Sequence, residues 1–384
     1  MKKNGLTGVR LAMFTALGLL LGCGGSSDSG SGGQSAPPPP PPPPPPASAG
    51  YQLGSGDHTP ASVTFTVIAN SGNALKKPRD LAFNPRVPED LWIVNATDDS
   101  VVIVHNTTLA SRTTEWRKDS WAGHFMDNPA ALAFGADATT FGLPGTWATA
   151  GETTNGTSNY TGPTLWSSDL TVFAVQNGGL GSHLDMLHDS PNSMGIAWQV
   201  DNVYWVFGGM KSDIVRYDFQ LDHGIGQDDH SDGRIRHYLG GQVARVPGVP
   251  GHLFFHTATN MLYIADTGNG RVIRLDTTSG AVSATHSGPD GLPEDFFMTG
   301  EVTSVVVAAG TFLTQPCGLE IKDDVMFVSD NATGIIHAFD LLGNRVNHID
   351  TGLGPGAVMG LAFGPDGKLY FVNATGNQVI RLDP

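Results

Sequence analysis

LYIADTGNGRVIRLD, residues 262–276, sets two short apolar segments around a polar centre. Read alone, Asp266 and Asn269 suit either a metal-binding loop or the joint between two strands. The rest of the chain decides for the joint, because the stretch has four relatives. They are LWIVNATDDSVVIVH (91–105), YWVFGGMKSDIVRYD (204–218), MFVSDNATGIIHAFD (326–340) and LYFVNATGNQVIRLD (369–383). Each joins two runs rich in β-branched and aromatic residues through an Asn, Asp or Gly turn, the pattern of paired strands rather than of a helix. Asp266, Asp330, Asn373 and Asn95 recur at one turn position, and Gly208 stands there in the third unit. Such residues bond locally or tolerate left-handed backbone, so turn formation accounts for them. The NAT triplets at 95–97, 331–333 and 373–375 spell a glycosylation sequon, but their repeated position assigns them to turns as well.

Each pair also follows a further apolar segment: RDLAF (79–83), MGIAW (194–198), GHLFF (251–255), CGLEI (317–321) and MGLAF (359–363). AALAF (130–134) is a sixth, which TWATAGET (146–153), PTLWSSD (163–169) and LTVFAVQ (170–176) are expected to complete. Fourth strands follow at GRIRHYLG (233–240) and TSVVVAAG (303–310). Small four-stranded sheets repeated around an axis make a β-propeller. The expectation is an all-β chain with six blades over residues 51–384, although the irregular stretch 135–190 leaves room for a seventh. The last unit stops after its third strand, while a spare strand, ASVTFTVI (61–68), precedes the first. That strand is expected to close the ring by completing the last blade.

These units resemble NHL repeats, most closely at 262–276 and then at 369–383 with GPGAVMGLAFGPDG before it. The resemblance spans residues 60–384 and implies a fold. It does not select a function, since scaffolding proteins, binding modules, lyases and lactone hydrolases share that scaffold.

Residues 1–22 read as an export signal. Lys2, Lys3 and Arg10 precede the short apolar run LAMFTALGLLLG (11–22). The run ends in LLGC (20–23), which resembles a bacterial lipobox and implies that Cys23 carries a diacylglycerol anchor in the membrane. Gly24 lacks the acidic character tied to inner-membrane retention, so the resemblance points to the outer membrane, with the propeller facing the periplasm or the cell surface. Residues 23–50 then form a tether expected to be disordered, a Gly/Ser-rich hinge followed by ten prolines at 37–46. A polyproline II rod of that length spans about 31 Å.

With Cys23 lipidated, Cys317 has no partner for a disulfide and is expected to be a small buried apolar residue. Removing Lys2, Lys3 and Arg10 leaves 18 basic against 36 acidic residues, a net charge of −18. No basic stripe survives, which excludes nucleic acid as a partner.

Candidate chemistry lies in loops. GHFMDNPAALAF (123–134), HLDMLHDSPNSMGIAW (183–198) and VPGHLFFH (249–256) each bring histidine toward an inner strand. His124, His188 and His252 are the expected metal ligands, with His183 as a substitute and Asp127, Asp185 and Asp189 as supporting carboxylates. Three imidazoles suit zinc and leave a fourth position for water. The pattern is loosely similar to the peptide-amidating lyases, whose propellers imply a histidine-held zinc near the axis. Here the trio falls in consecutive blades and the paired cysteines of the secreted members are missing. Arg79 and Asp80 are read as a salt bridge between adjoining blades or as an acid–base pair. DFQLDHGIGQDDHSDGRIRHY (218–238) offers Asp222, His223, Asp228, Asp229, His230 and Asp232 to Ca²⁺ or Zn²⁺, but it fits no twelve-residue calcium loop. As the link between third and fourth strands, it is expected on the face opposite the trio.

Two functional classes remain open. One is an envelope binding or scaffolding module for a protein, peptide or glycan, with the insertions at 135–165 and 220–232 and the aromatics Trp116, Trp121, Trp147 and Tyr160 making contacts. The alternative is a metal-assisted lyase or lactone/ester hydrolase with a histidine site on one propeller face.

Overall fold

The computed structural model describes residues 50–135, 145–154 and 161–384. The export signal, Cys23, nearly all of the tether and Tyr160 lie outside the described residues.

Strand β1 (Thr64–Ala69) comes first. Blade 1 follows as β2 (Pro78–Phe83), β3 (Leu91–Asn95), β4 (Ser100–His105) and β5 (Thr113–Arg117). One helical turn, α1 (Ala122–Phe125), leads to blade 2: β6 (Pro129–Phe134), β7 (Thr146–Gly151), β8 (Thr164–Ser167) and the short β9 (Asp185–Met186). Blade 3 contains β10 (Ser193–Val200), β11 (Val203–Gly208), β12 (Asp213–Asp218) and β13 (Arg234–Tyr238). Blade 4 begins with β14 (Leu253–His256), β15 (Met261–Asp266) and β16 (Arg271–Asp276). A hairpin, β17 (Ala281–Thr285) and β18 (Glu294–Thr299), intervenes before its fourth strand, β19 (Thr303–Val307). Blade 5 is β20 (Pro316–Lys322), β21 (Val325–Asp330), β22 (Ile335–Asp340) and β23 (Arg345–Asp350). Blade 6 is β24 (Val358–Phe363), β25 (Leu369–Asn373) and β26 (Gln378–Asp383), with β1 as its outer strand.

The second strands are buried along their whole length in blades 1, 3, 5 and 6, because neighbouring sheets cover both faces. That two-sided burial is why they read as continuous apolar runs instead of alternating ones. Between blades 1 and 2 the filling is aromatic: Trp92 meets Trp147 edge-on with ring centroids 5.1 Å apart, and Phe173 packs against both.

The ring closes as the sequence indicated. β1 pairs antiparallel with β26 from Thr64 opposite Asp383 to Ala69 opposite Val379. Asp383 accepts hydrogen bonds from Thr66 Oγ1 at 2.6 Å and Lys368 Nζ at 2.5 Å. Six blades account for the sheets, and 135–190 contributes no seventh among the described residues.

Two elements differ from expectation. LTVFAVQ is a run of turns, and the fourth strand of blade 2 is β9, placing 183–188 at the rim of the ring. The β17–β18 hairpin leaves blade 4 and extends blade 3, with β18 running parallel to β13. β17 is exposed at every residue, so it carries no burial pattern to betray it. The hairpin is held by chemistry instead: Arg236 pairs with Glu294 at 2.6 Å and lies over the Phe296 ring.

Candidate metal centre

Inner strands from all six blades surround an axial cavity of about 540 Å³. Its lining is mainly apolar, with Asp80, His252, Glu320 and Lys322 as the charged or titratable side chains. His252 stands 3.5 Å from Asp80 and 3.4 Å from the Ala130 carbonyl. Asp80 accepts from the backbone N–H groups of Leu81 and Leu132, and burial raises its pKa. Its neighbour Arg79 is buried in an ion pair with Glu152 of blade 2 at 2.9 Å, the inter-blade bridge expected. With one histidine, the cavity lacks a convergent nitrogen set.

Nor do the three expected ligands share a coordination volume. His252 is at the axis, while His188 hydrogen-bonds Asp290 through Nδ1 at 2.5 Å. His124 sits on α1, its ring 4.5 Å from that of Phe125. Asp127 accepts from Thr153 at 2.5 Å. The reason lies in blade 2, where residues 183–188 form and flank the outer strand β9 rather than the approach to an inner strand.

That displacement brings 183–188 against the acidic loop of blade 3, which was expected on the opposite face. Asp185, His223 and His230 present ligand atoms that all lie within 4.8 Å of one another. Asp185 Oδ1 accepts from the Met186 N–H, is 3.1 Å from His230 Nδ1, and lies 3.9 Å from His223 Nε2. His223 Nδ1 donates to the Gly224 carbonyl and His183 Nδ1 to the Leu180 carbonyl. A carbonyl only accepts, so both imidazoles carry hydrogen on Nδ1, which in a neutral ring leaves the lone pair on Nε2. Those two Nε2 atoms, and Asp185 Oδ2, are buried without a hydrogen-bond partner. Burial also pushes His183 down to about 3, which keeps it neutral and ligand-competent. Burial pushes Asp185 up to about 6, although its histidine neighbours oppose the shift. At His230 burial is the largest influence and disfavours the charge, but the Asp185 hydrogen bond together with the charges of Asp185, Asp290 and Asp228 raises the pKa. Asp228, Asp229 and Asp232, offered by the sequence, stay exposed on the loop surface.

A second group comprises Asp189, His237, His286 and Asp295, again within 4.8 Å of one another. His237 lies on β13 and Asp295 on β18, so the unforeseen hairpin builds this cluster. The sequence signal for it is HDSP (188–191), in which Asp189 is expected only as a supporting carboxylate. Two Asp/His clusters with ligand-like geometry therefore occupy the rim of blades 2 and 3.

The remaining candidates resolve into structural roles. Asp266 accepts from the Ala244 N–H, Asn269 and Arg271, holding its turn to the preceding loop. Asp330 does the same for the N–H groups of Thr314 and Gln315. Cys317 is fully buried, and burial raises its thiol pKa well above the usual range. Trp147 is core, whereas Trp116 and Trp121 are exposed.

No family model and no curated protein matches the chain. Solved structures resemble it at low identity. An auxiliary nutrient binding protein from Bacteroides thetaiotaomicron is 11% identical, with a TM-score of 0.54 over 83% of this chain and 76% of that one. Another auxiliary nutrient binding protein, from Bacteroides ovatus, is 12% identical, with a TM-score of 0.53 over 84% and 76%. The calcium-binding protein regucalcin from Agrobacterium tumefaciens is 15% identical, with a TM-score of 0.50 over 83% and 93%. At these identities the likeness concerns the fold alone.

Proposed function

We propose that this chain is a metal-assisted hydrolase of the cell envelope, acting on a carboxylic ester or lactone at a centre formed by Asp185, His223 and His230. The observation that carries this reading is the buried His223 Nε2, whose Nδ1–H is fixed by a backbone bond and which meets no donor, beside the equally unpaired Asp185 Oδ2. Leaving such groups unpaired costs roughly 1–3 kcal/mol each, a cost that a bound cation removes. Three protein donors are the complement of a catalytic zinc, with a fourth position for water.

A divalent ion there would supply acidified water as the nucleophile. This chain's residues do the rest. Asp185, oriented by the Met186 N–H, and the two imidazoles hold the centre at the rim. His188 donates Nδ1–H to Asp290, and its ring lies 5.5 Å from that of His230. A carboxylate-oriented imidazole beside the nucleophile is placed for proton transfer. In the hydrolysis the carbonyl carbon gains the water oxygen and its bond to the leaving oxygen breaks. The proton released from water goes, through His188, to that leaving oxygen.

A three-donor set, which leaves a coordination position for water, favours the enzymatic reading over a binding module. The proposal keeps the expected setting, with acylated Cys23 in the outer membrane, residues 24–50 as spacer, and the propeller in the periplasm or at the cell surface.

The test is metal content and turnover of the full chain in detergent, on a panel of aryl esters and aliphatic lactones, before and after chelation. A His223→Ala/His230→Ala variant is expected to lose one metal equivalent and roughly 100-fold or more in kcat/KM. Turnover indifferent to chelation and to this variant, or no turnover on either panel with metal restored, overturns it.

A further inference from the structure

The four inward-facing atoms of the second cluster are Asp189 Oδ2, Asp295 Oδ1, His237 Nε2 and His286 Nε2. Each of the first three belongs to a side chain whose other polar atom is already held from outside. Lys211 binds Asp189 Oδ1, the Gly288 N–H donates to Asp295 Oδ2 at 3.1 Å, and His237 Nδ1 donates to Asp213 Oδ2 at 2.9 Å. Outer partners that orient a ligand and leave its remaining atom pointing inward are what a metal site requires. His237 Nε2 and Asp295 Oδ1 are buried with no hydrogen-bond partner, on side chains 2% and 1% exposed.

The spacing also fits. His237 Nε2 is 3.4 Å from Asp189 Oδ2 and 3.5 Å from Asp295 Oδ1, long for hydrogen bonds. Four donors about 2.0–2.1 Å from a tetrahedral zinc are about 3.3–3.4 Å apart. His286 Nε2 approaches Asp189 Oδ2 to 2.6 Å, a hydrogen bond that would open by less than an ångström to admit the ion.

The local sequence is cut to the site. Where other units place Asp or Asn at the turn position, the third has Gly208, and a β-carbon there would overlap the Asp213 carboxylate that orients His237. A β-carbon on Gly288 would stand 2.5 Å from Asp295 Oδ2.

We propose that Asp189, His237, His286 and Asp295 bind a structural divalent transition metal, of the zinc class, which clamps the β17–β18 hairpin to blade 3 and to the segment after β9. Two nitrogens and two carboxylate oxygens suit zinc and disfavour calcium, which takes oxygen ligands. Four protein donors close the sphere, so this centre is structural where the three-donor centre is open. The hairpin needs such a clamp: β17 is wholly exposed and contributes almost no burial.

The test uses the full chain stripped by chelation and titrated with Zn²⁺, in wild type, His223→Ala/His230→Ala, His286→Ala and Asp295→Asn. Bound zinc, Tm and protease cleavage within 277–302 are read together. In the His223→Ala/His230→Ala protein, zinc is expected to bind at one equivalent, raise Tm by roughly 3–8 °C and suppress hairpin cleavage at least several-fold. His286→Ala, at a partly exposed side chain, should lose the hairpin protection but keep zinc at the other centre. Should Asp295→Asn fail to fold, His286→Gln takes its place. Zinc-free His223→Ala/His230→Ala protein, or equal zinc protection of the hairpin in His286→Ala, overturns the clamp. Neither result bears on the three-donor centre, whose failure instead removes chelator-sensitive turnover while the clamp persists.

Discussion

The Asp213 carboxylate occupies the space that a side chain at residue 208 would fill, and from there its Oδ2 accepts the Nδ1–H of His237 at 2.9 Å. Gly208 and Asp213 are direct partners across β11 and β12, so the carboxylate cannot retreat without breaking that register. Gly208→Ala is expected to cost about 1–3 kcal/mol, measured by urea unfolding, through displacement of a buried charged group. In an Asp213→Ala background the same substitution should cost at most a few tenths of that. Additivity of the two changes would show that the glycine serves something other than the carboxylate.

Glu152 joins two guanidinium groups: Arg79 at 2.9 Å and Arg245 at 2.8 Å. It also accepts the Gly248 N–H, tying blades 1 and 2 to the loop before blade 4. Glu152→Gln strands the Arg79 charge, which is only 2% exposed, and is expected to destabilise by about 3–5 kcal/mol. Arg79→Met combined with Glu152→Met should recover most of the loss, because the buried pair as a whole is worth little against apolar packing. Chemical denaturation of both variants checks this. A double variant as unstable as Glu152→Gln would contradict it.

The ring itself was legible because each blade repeats one pattern, and repetition turns a weak strand signal into a strong one. The closing strand was legible for a related reason, since Phe65 and Ile68 sit where a fourth strand was missing. The metal clusters were only half legible. His223, His230 and Asp185 all read as donors in the sequence, yet LTVFAVQ reads as a strand, which places 183–188 near the axis instead of at β9. His237, His286 and Asp295 meet through a parallel pairing of β13 with an inserted hairpin, a non-local contact that no periodicity encodes. The local clues are HDSP (188–191) and the lapse in the repeat at Gly208.

Closure rests on β1. Residues 64–69 supply the outer strand of blade 6, and without them β26 presents an open edge. Deleting them is expected to lower Tm by more than about 10 °C and to promote association through the bare edge. Adding the excised segment as a peptide should reverse both effects. Calorimetry and light scattering read the outcome; an unchanged monomeric protein would mean that the ring does not depend on the strand. Asp383→Ala, which removes bonds to Thr66 and Lys368 at a partly exposed position, should cost only about 1 kcal/mol.

Glu320 faces the axial cavity with no hydrogen-bond or ion-pair partner among the described residues. Burial, with a smaller push from Asp80, raises it from the ordinary 4.5 to about 8. The sign of the consequence follows from which state ionises first. Below pH 4.5 the side chain is protonated folded or unfolded, and it carries no penalty. As pH rises toward 8 the unfolded chain ionises freely while the folded one resists, so stability is lost across that interval. Above about 8 the folded residue ionises too and the loss levels off. Residual contact with cavity water reduces the effect below that of a dry interior, to about 1–3 kcal/mol. Glu320→Gln removes the titrating group and keeps the shape. Its Tm should match wild type near pH 4.5, exceed it increasingly up to pH 8, and run parallel beyond. A difference that is constant from pH 4.5 to 9, or one that shrinks as pH rises, would refute this assignment of Glu320.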